Sequence, residues 1–525
     1  MFRKLLIVFV AILMIFSFVR CDSAKQNNNI TANISPETEQ SVDSTVVNVY
    51  KDKLEAQKPI EDDGKEVKYS VSGTISSDMV VQRNNYFNVF GWSENVGGII
   101  YAEFMGEKRY GIVNKDGEWK IQFSPHEATK EAQILKIYPQ NGVVTEFKDI
   151  LVGDVWIVNG QSNAVVSMSL CLAKDTEYRK EIDKNDPIRI YTQSREYVMD
   201  IKNKVDFSVP QKDTANEKWK WKKTTTANVN DFSALGYYFA KELGKQIDVP
   251  LGIIMTAAGG ATLQELMPAG LSAECETLFA PSIGAGGFYN ALIHPFTQNP
   301  ITGMIFYQGE SESAGGHHKT YCDDLVATFK EYRNIWKLKF PIINVQLSTH
   351  GTEGIKVWNE IHYIRAAQFD VTKKLNNVFI IVSRDQGVQA GDGDFAHPPY
   401  KRQLGVRAAG VAASEIYNVA DANYVRSPEP ENITWNQDNV LIDFVYVGDG
   451  LKLLERKTLK GFTVIDKDGK DIAYTAEILD EDTVKITVTG QPTIVQYAMI
   501  PNANIRMANL GNSEGLPVPG FEIAK

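Results

Sequence analysis

The apolar positions of this chain change rhythm twice after the first 65 residues. From Tyr69 to about Lys148 short β-branched and aromatic runs alternate with turn signals. VFGW (Val89–Trp92) is followed by YGIVNKDGEWKIQF (Tyr110–Phe123), where Asp116-Gly117 sits between alternating apolar positions. That spacing predicts a hairpin-rich β domain over residues 66–148. Continuous apolar runs then take over: VWIVN (Val155–Asn159), LGIIMT (Leu251–Thr256), GMIFY (Gly303–Tyr307), PIINVQL (Pro341–Leu347) and VFIIVS (Val378–Ser383). Between several of them lie stretches such as FSALGYYFAKELGKQI (Phe232–Ile247) and CDDLVATFKEYRNIWK (Cys322–Lys337), with apolar residues at helical spacing. Buried strands alternating with amphipathic helices predict a doubly wound, mostly parallel α/β sheet over 149–419. Beyond Ala420 short strand patterns return (VLIDFVYV, TVKITVTG, TIVQYAMI), with Asp468-Gly469 as another hairpin turn, which predicts a C-terminal β domain over 420–525.

The first 65 residues follow neither rhythm. Arg3 and Lys4 precede an apolar run from Leu5 to Val19, shorter than the roughly 20 residues of a membrane-spanning helix and suited to a secretory signal. Cys21 closes the run where a bacterial lipoprotein would be cleaved and acylated. Residues 1–21 are therefore expected to form a signal ending at a lipidated Cys21, although Arg20 departs from the small residue such sites prefer; simple cleavage nearby is the alternative. Residues 22–65 are polar and read as a flexible tether. The body is thus expected to be exported, in the periplasm or at the cell surface.

Of the 525 residues 43% are apolar and 23% charged, enough for several cores and incompatible with wholesale disorder. The 55 Lys+Arg are scattered against 65 Asp+Glu, so a nucleic-acid partner is not expected. Four cysteines (Cys21, Cys171, Cys275, Cys322) without a CxxC pair exclude a disulfide-dense scaffold and the usual zinc-ribbon spacings.

In open α/β sheets ligands bind beyond the carboxyl ends of the strands. The first run ends in NGQSNA, which places Ser162 in a glycine-containing turn as a nucleophile candidate, or as a helix N-cap. LGIIMT leads into AAGGAT, where Gly259 and Gly260 offer N–H groups to an oxyanion or simply turn the chain. GMIFY leads into QGESES, with the Gln308 amide and the Glu310 carboxylate at the same rim. After VFIIVS a loop carries Asp392, Asp394 and His397. Asp394 and His397, three apart, suit an acid and base pair, though a loop histidine is often merely exposed. Serine first and Asp-x-x-His last suits a hydrolytic triad, in which histidine takes the serine proton and a carboxylate holds its tautomer.

These motifs carry a resemblance. GDVWIVNGQSNA (Gly153–Ala164), the GGAT turn, GMIFYQGESES and AHPPYKRQLGVRAA resemble the sialate O-acetylesterases and related carbohydrate acetylesterases of the SGNH hydrolase group. SSDMVVQRN with FNVFGWSE (Ser76–Glu94), GLKLLERKTLKGFTV and ANLGNSEGLPVPGF (Ala508–Phe521) resemble that family's flanking domains, so the likeness runs from about residue 68 to 523. It implies an SGNH-like three-layer α/β fold flanked by β-sandwich-like domains, and a serine esterase that frees O-acetyl groups from sialic acid without metal or cofactor. Related enzymes act on acetylated xylan; a catalytically silent carbohydrate-binding lipoprotein is a further alternative, against which the intact Ser162, Gln308 and His397 stand. By the resemblance Ser162 is the nucleophile, the Ser162 and Gly260 N–H groups and the Gln308 amide bind the oxyanion, and His397 is the general base. Asp394 and Glu310 share the third position, because many relatives read Asp-Ile-His-Pro with a different offset. Ala164, Leu266, Phe306 and Glu312 depart from the family pattern (Met, Trp, Trp, Asn) and are expected on the pocket wall.

Three further signals lead elsewhere. His317-His318 with Cys322 and Asp323 match no strong metal motif. Asp466-x-Asp468-Gly469-x-Asp471 lacks the distal Glu of a calcium loop and reads as a turn. Trp219 and Trp221 in KWKWKK suit either a carbohydrate cleft or a packed surface loop.

Overall fold

Thr145–Gly160 is a 16-residue strand that joins two parts of the computed structural model. Its first half pairs antiparallel with Thr129–Pro139 and parallel with Val80–Gln82; its second half is the centre of a parallel sheet. The expected boundary at 148/149 therefore falls inside one uninterrupted strand, where half-exposed alternation gives way at Ile150 to continuous burial without a turn. The structure describes residues 64, 66–172, 178–183, 186–272, 282–349, 359–386 and 397–525. The signal, Cys21, the tether except Gly64, Cys275, Asp392 and Asp394 lie outside the described residues.

In the N-terminal region Gly117 N donates to Asn114 O at 3.0 Å, so the chain does turn at Asp116-Gly117. The flanking strands nevertheless part company. Glu107–Ile112 pairs with Ile99–Phe104, whereas Glu118–Phe123 pairs with Phe87–Trp92 in a separate sheet. The turn is a corner between sheets rather than a hairpin, because alternation marks a strand without naming its partner.

The central sheet runs Trp221–Lys223, Ile188–Thr192, Leu251–Met255, Thr145–Gly160, Gly303–Tyr307, Ile342–Gln346, Val378–Val382, and only the first strand is antiparallel to its neighbour. Leu251–Met255, Gly303–Tyr307 and Ile342–Gln346 are buried at every position, the reason their sequences are continuously apolar. Successive residues of the central strand face opposite sides. Val158 lies under Gly236 of helix Ala234–Gly244, while Asn159 Nδ2 donates at 3.3 Å to the Tyr332 hydroxyl of helix His318–Trp336. Helix Lys401–Glu415 packs on Ala234–Gly244 so closely that a Cβ on Gly405 would stand 2.4 Å from Tyr238 Cβ. From Thr145–Gly160 the chain fills one side of the sheet and then the other. The crevice beyond Gly160 is therefore the point where strand order reverses, the preferred ligand position in such sheets.

The C-terminal β region has a four-stranded antiparallel sheet (Glu429–Trp435, Asn439–Val445, Thr483–Val488, Tyr474–Ile478) and a three-stranded one (Phe462–Asp466, Pro492–Tyr497, Phe521–Ala524) around a separate core that includes Ile442, Val464, Val484 and Phe521. Asp466 Oδ1 accepts from the backbone N–H groups of Asp468 and Lys470 at 2.9 and 3.0 Å, so the aspartate-rich run is a side-chain-closed turn. Trp221 is 4% exposed with its Nε1–H on Thr74 O at 3.0 Å, and Trp219 packs edge-on against Tyr197. Trp221 is a core residue and lines no carbohydrate cleft.

Two buried arginines fasten this region to the α/β body. Arg384, just past Val378–Val382, donates to Val518 O at 3.1 Å and to Ala508 O. Arg365, on helix Ile361–Lys374, donates to Ile500 O at 2.5 Å and Pro501 O at 3.3 Å. Burial and the neighbouring Arg384 charge push the Arg365 guanidinium down to about 9. Replacing Arg384 by methionine strands the carbonyls of Val518 and Ala508 in a dry interface. Arg384→Met should cost about 3–5 kcal/mol, measured by urea denaturation, and a loss below about 1 kcal/mol would show that the carbonyls find other donors.

Candidate active site

Gly160 ends the central strand with φ +133°, and a Cβ there would lie 2.0 Å from Tyr307 O. Only glycine lets the strand hug its neighbour and turn away at once. Gln161 stays extended and takes the N-cap position, so Ser162 is the first residue of the one-turn helix Ser162–Val165 and does not cap it. The half-buried Ser162 hydroxyl has no hydrogen-bond partner among the described residues. It opens into a cavity of about 270 Å³ lined also by Val165, Gln193, Arg195, Met255 and Gly259. A larger cavity, about 550 Å³ and lined by Trp92, Lys120, His294 and Gln298, shares no residue with it.

The next strand over, Leu251–Met255, delivers the glycine turn. Ala258 N donates to Gly160 O at 3.0 Å, and a Cβ on Gly259 would lie 4.0 Å from Ser162 Cβ. Gly260 is exposed with φ +72° and open space around its Cβ position. The turn is tied from behind. Thr262 and Glu265 form a capping box on Leu263–Leu266, and Glu265 also accepts from Ser282 N at 2.6 Å. Glu312, 1% exposed, accepts from Leu263 N at 2.6 Å and from the Gln308 side chain. Burial, with Glu310 and Glu265 nearby, pushes Glu312 up to about 8.

Gln308 is fully buried within this scaffold. Its Nε2 donates to Glu312, to Gln161 Oε1 at 3.3 Å and to Ala261 O at 3.4 Å, while its Oε1 accepts from Tyr321 at 3.0 Å. It does not line the Ser162 cavity. Glu310, 8% exposed, accepts on Oε1 from Asn163 Nδ2 at 2.5 Å, and Asn163 Oδ1 accepts from Lys401 Nζ at 2.6 Å. Lys401 has no exposed surface, and its ammonium lies 5.2 Å over the Tyr307 ring. Glu310 Oε2 is buried without a hydrogen-bond donor. Burial raises the Glu310 pKa, opposed by the Asn163 hydrogen bond and the nearby charges of Lys401 and His397. His397, half-buried ahead of helix Lys401–Glu415, is thus brought into the field of Glu310, whereas its other candidate partner, Asp394, lies outside the described residues.

The four departures from the family pattern do not stand on the pocket wall. Ala164, Leu266 and Phe306 are fully buried, and Glu312 braces the scaffold just described. Of the histidine pair, His318 Nδ1 meets Glu360 Oε2 at 3.0 Å beside the Tyr363 ring. Sequence reasoning gave no role to Asn163, Gln193, Arg195 or Lys401. Lys401 carried a readable signal, since it falls in phase with the apolar stripe Leu404, Ala408, Val411.

Residues 152–414 match the model of a family described as carbohydrate esterase, sialic acid-specific acetylesterase. A sialate O-acetylesterase of Mus musculus is 22% identical over 440 residues, 71% of this chain and 77% of its own. That of Homo sapiens is 21% identical over 408 residues, 71% and 75% of the two chains. The crystal structure of a carbohydrate acetylesterase from Xanthomonas citri has the same fold, with a TM-score of 0.74 at 24% identity, covering 87% of this chain and 100% of the other.

Proposed function

The chain belongs to the sialic acid-specific acetylesterase family of carbohydrate esterases, hence to the carboxylic ester hydrolases, and we propose that it removes O-acetyl groups from sialic acid by a serine mechanism. The observation that carries this reading is the Ser162 hydroxyl, without a partner among the described residues, facing the Gly259-Gly260 turn at the adjacent strand end; its chain neighbour Asn163 bonds Glu310, in whose field His397 lies. Ser162 Oγ attacks the acetyl carbonyl while its proton passes to His397. The oxyanion is met by the N–H groups of Ser162 and Gly260, and Gln308, read as a third donor, acts by holding Ala261 and Glu312. The bond from carbon to sugar oxygen then breaks, and His397 returns the proton to the leaving alkoxide. Water, deprotonated by His397, splits the acetyl-serine into acetate and free enzyme. The helices on both faces of the sheet support a three-layer SGNH-like arrangement. No step requires a metal or cofactor.

Acetate release should be measured side by side from 9-O-acetylated sialic acid and acetylated xylan. Turnover of the former alone is the expected result, and cleavage of xylan alone would keep the chemistry while overturning the substrate. We further propose export with a lipid anchor on Cys21. A palmitate analogue should label the full chain, and label retained in Cys21→Ala would refute that anchor.

A further inference from the structure

Two polar side chains on the wall of the Ser162 cavity each keep a buried polar atom without a hydrogen-bond partner among the described residues. Both follow the carboxyl end of Ile188–Thr192, the strand beside Leu251–Met255, so they stand one strand beyond the glycine turn. Gln193 is 3% exposed. Its Nε2 donates to Leu292 O at 2.7 Å, which fixes the amide and leaves the buried Oε1 without a donor. Arg195 opens the short helix Arg195–Ile201, with its guanidinium 5.8 Å over the Phe288 ring. Its Nε is buried without an acceptor, and no described carboxylate pairs with it. The adjacent acid, Glu196, which also lines the cavity, is engaged by the Ser194 hydroxyl at 3.0 Å.

A buried acceptor without a donor is costly in a folded protein unless a ligand completes it, and a half-buried guanidinium with no described carboxylate paired to it is open to an anionic ligand. The rest of the wall is mostly apolar (Val165, Val166, Met255 and Ala257), and the hydroxyl of its remaining polar side chain, Ser167, is paired with that of Ser169 at 2.7 Å. We infer that Gln193 and Arg195 form the subsite that selects an acidic sugar, Arg195 receiving its carboxylate and Gln193 Oε1 a hydroxyl or amide N–H. The planar guanidinium suits a carboxylate through two parallel hydrogen bonds, and the Phe288 ring faces the same cation at 5.8 Å. A neutral pentose chain offers Arg195 only hydroxyl acceptors and no counter-charge. The subsite therefore favours sialic acid over acetylated xylan and names a cause that the nucleophile and oxyanion groups do not supply. It rests on the reading of Ser162 as nucleophile only for the ester bond it presents.

The test uses the full chain hydrolysing 4-nitrophenyl acetate, inhibited by N-acetylneuraminic acid or by its methyl ester, whose carboxylate is masked. The acid should inhibit competitively and at least about tenfold more tightly than the methyl ester, the worth of one charge-assisted pair. In Arg195→Met that ratio should fall to near one, and Arg195→Lys should restore part of it. Comparing two inhibitors within one variant cancels any change in its general activity or folded fraction. Equal inhibition by acid and ester in the wild type, absence of inhibition by both, or a ratio unchanged in Arg195→Met would each overturn the subsite. Failure of the nucleophile reading shows separately, as 4-nitrophenyl acetate hydrolysis that survives Ser162→Ala.

Discussion

Ser162→Ala should lower acetate release by at least about 10³-fold while leaving the urea unfolding midpoint unchanged. The two halves of this expectation come from different observations. The rate falls because removing Oγ removes the atom that carries the acetyl group, and only positioning and oxyanion binding remain. Stability holds because the hydroxyl bonds to no described residue and caps no helix. Initial rates on an O-acetylated sugar and a denaturation curve on the same sample check both. A rate within tenfold of wild type would remove Ser162 from the mechanism. A rate loss accompanied by unfolding would mean that the hydroxyl has a structural role the geometry does not show.

The line between what was legible in the sequence and what was not follows physical range. The continuous apolar runs announced parallel strands because burial on both faces leaves no alternation, and the strand ends drew attention to Ser162, Gly260, Gln308 and Glu310, of which Gln308 proves to be buried in the scaffold behind the Ser162 cavity. Pairing was not legible, since the Asp116-Gly117 turn has hairpin chemistry yet joins strands of different sheets. Nor was depth. By the resemblance Leu266, Phe306 and Glu312 read as pocket wall, but Phe306 lies within its strand and all three are buried, and Glu312 becomes the brace between Gln308 and the glycine turn. Gln193 and Arg195 follow a strand, Ile188–Thr192, whose contribution to the site depends on its neighbour Leu251–Met255, a tertiary fact. Lys401 was the missed chance, a charged residue written into an apolar stripe.

That lysine bears on Glu310, the carboxylate we propose to steady His397. Glu310 is held on one oxygen by Asn163 and through it by Lys401, while the other oxygen is buried and has no donor, the state of an acceptor reserved for an imidazole N–H. Glu310→Gln should therefore lower kcat by roughly 10³–10⁴-fold and Asp394→Asn by less than about tenfold, since the loss of the orienting carboxylate leaves histidine in the wrong tautomer. The reverse result would assign the role to Asp394. The charge of Lys401 sets the pH at which Glu310 can act. Burial raises the Glu310 pKa and the Lys401 and His397 charges oppose it, so removing the ammonium raises it further. A protonated Glu310 cannot stabilise the imidazolium, so loss of the ammonium lowers activity on the acid side. In Lys401→Met the acid limb of kcat/KM should move to higher pH, each unit costing about tenfold below the limb, with the rate recovering on the alkaline side. In a Glu310→Gln background the added loss should shrink, because the two residues act through one carboxylate. A loss uniform across pH would instead mark Lys401 as a packing residue and leave the protonation of Glu310 to its burial alone.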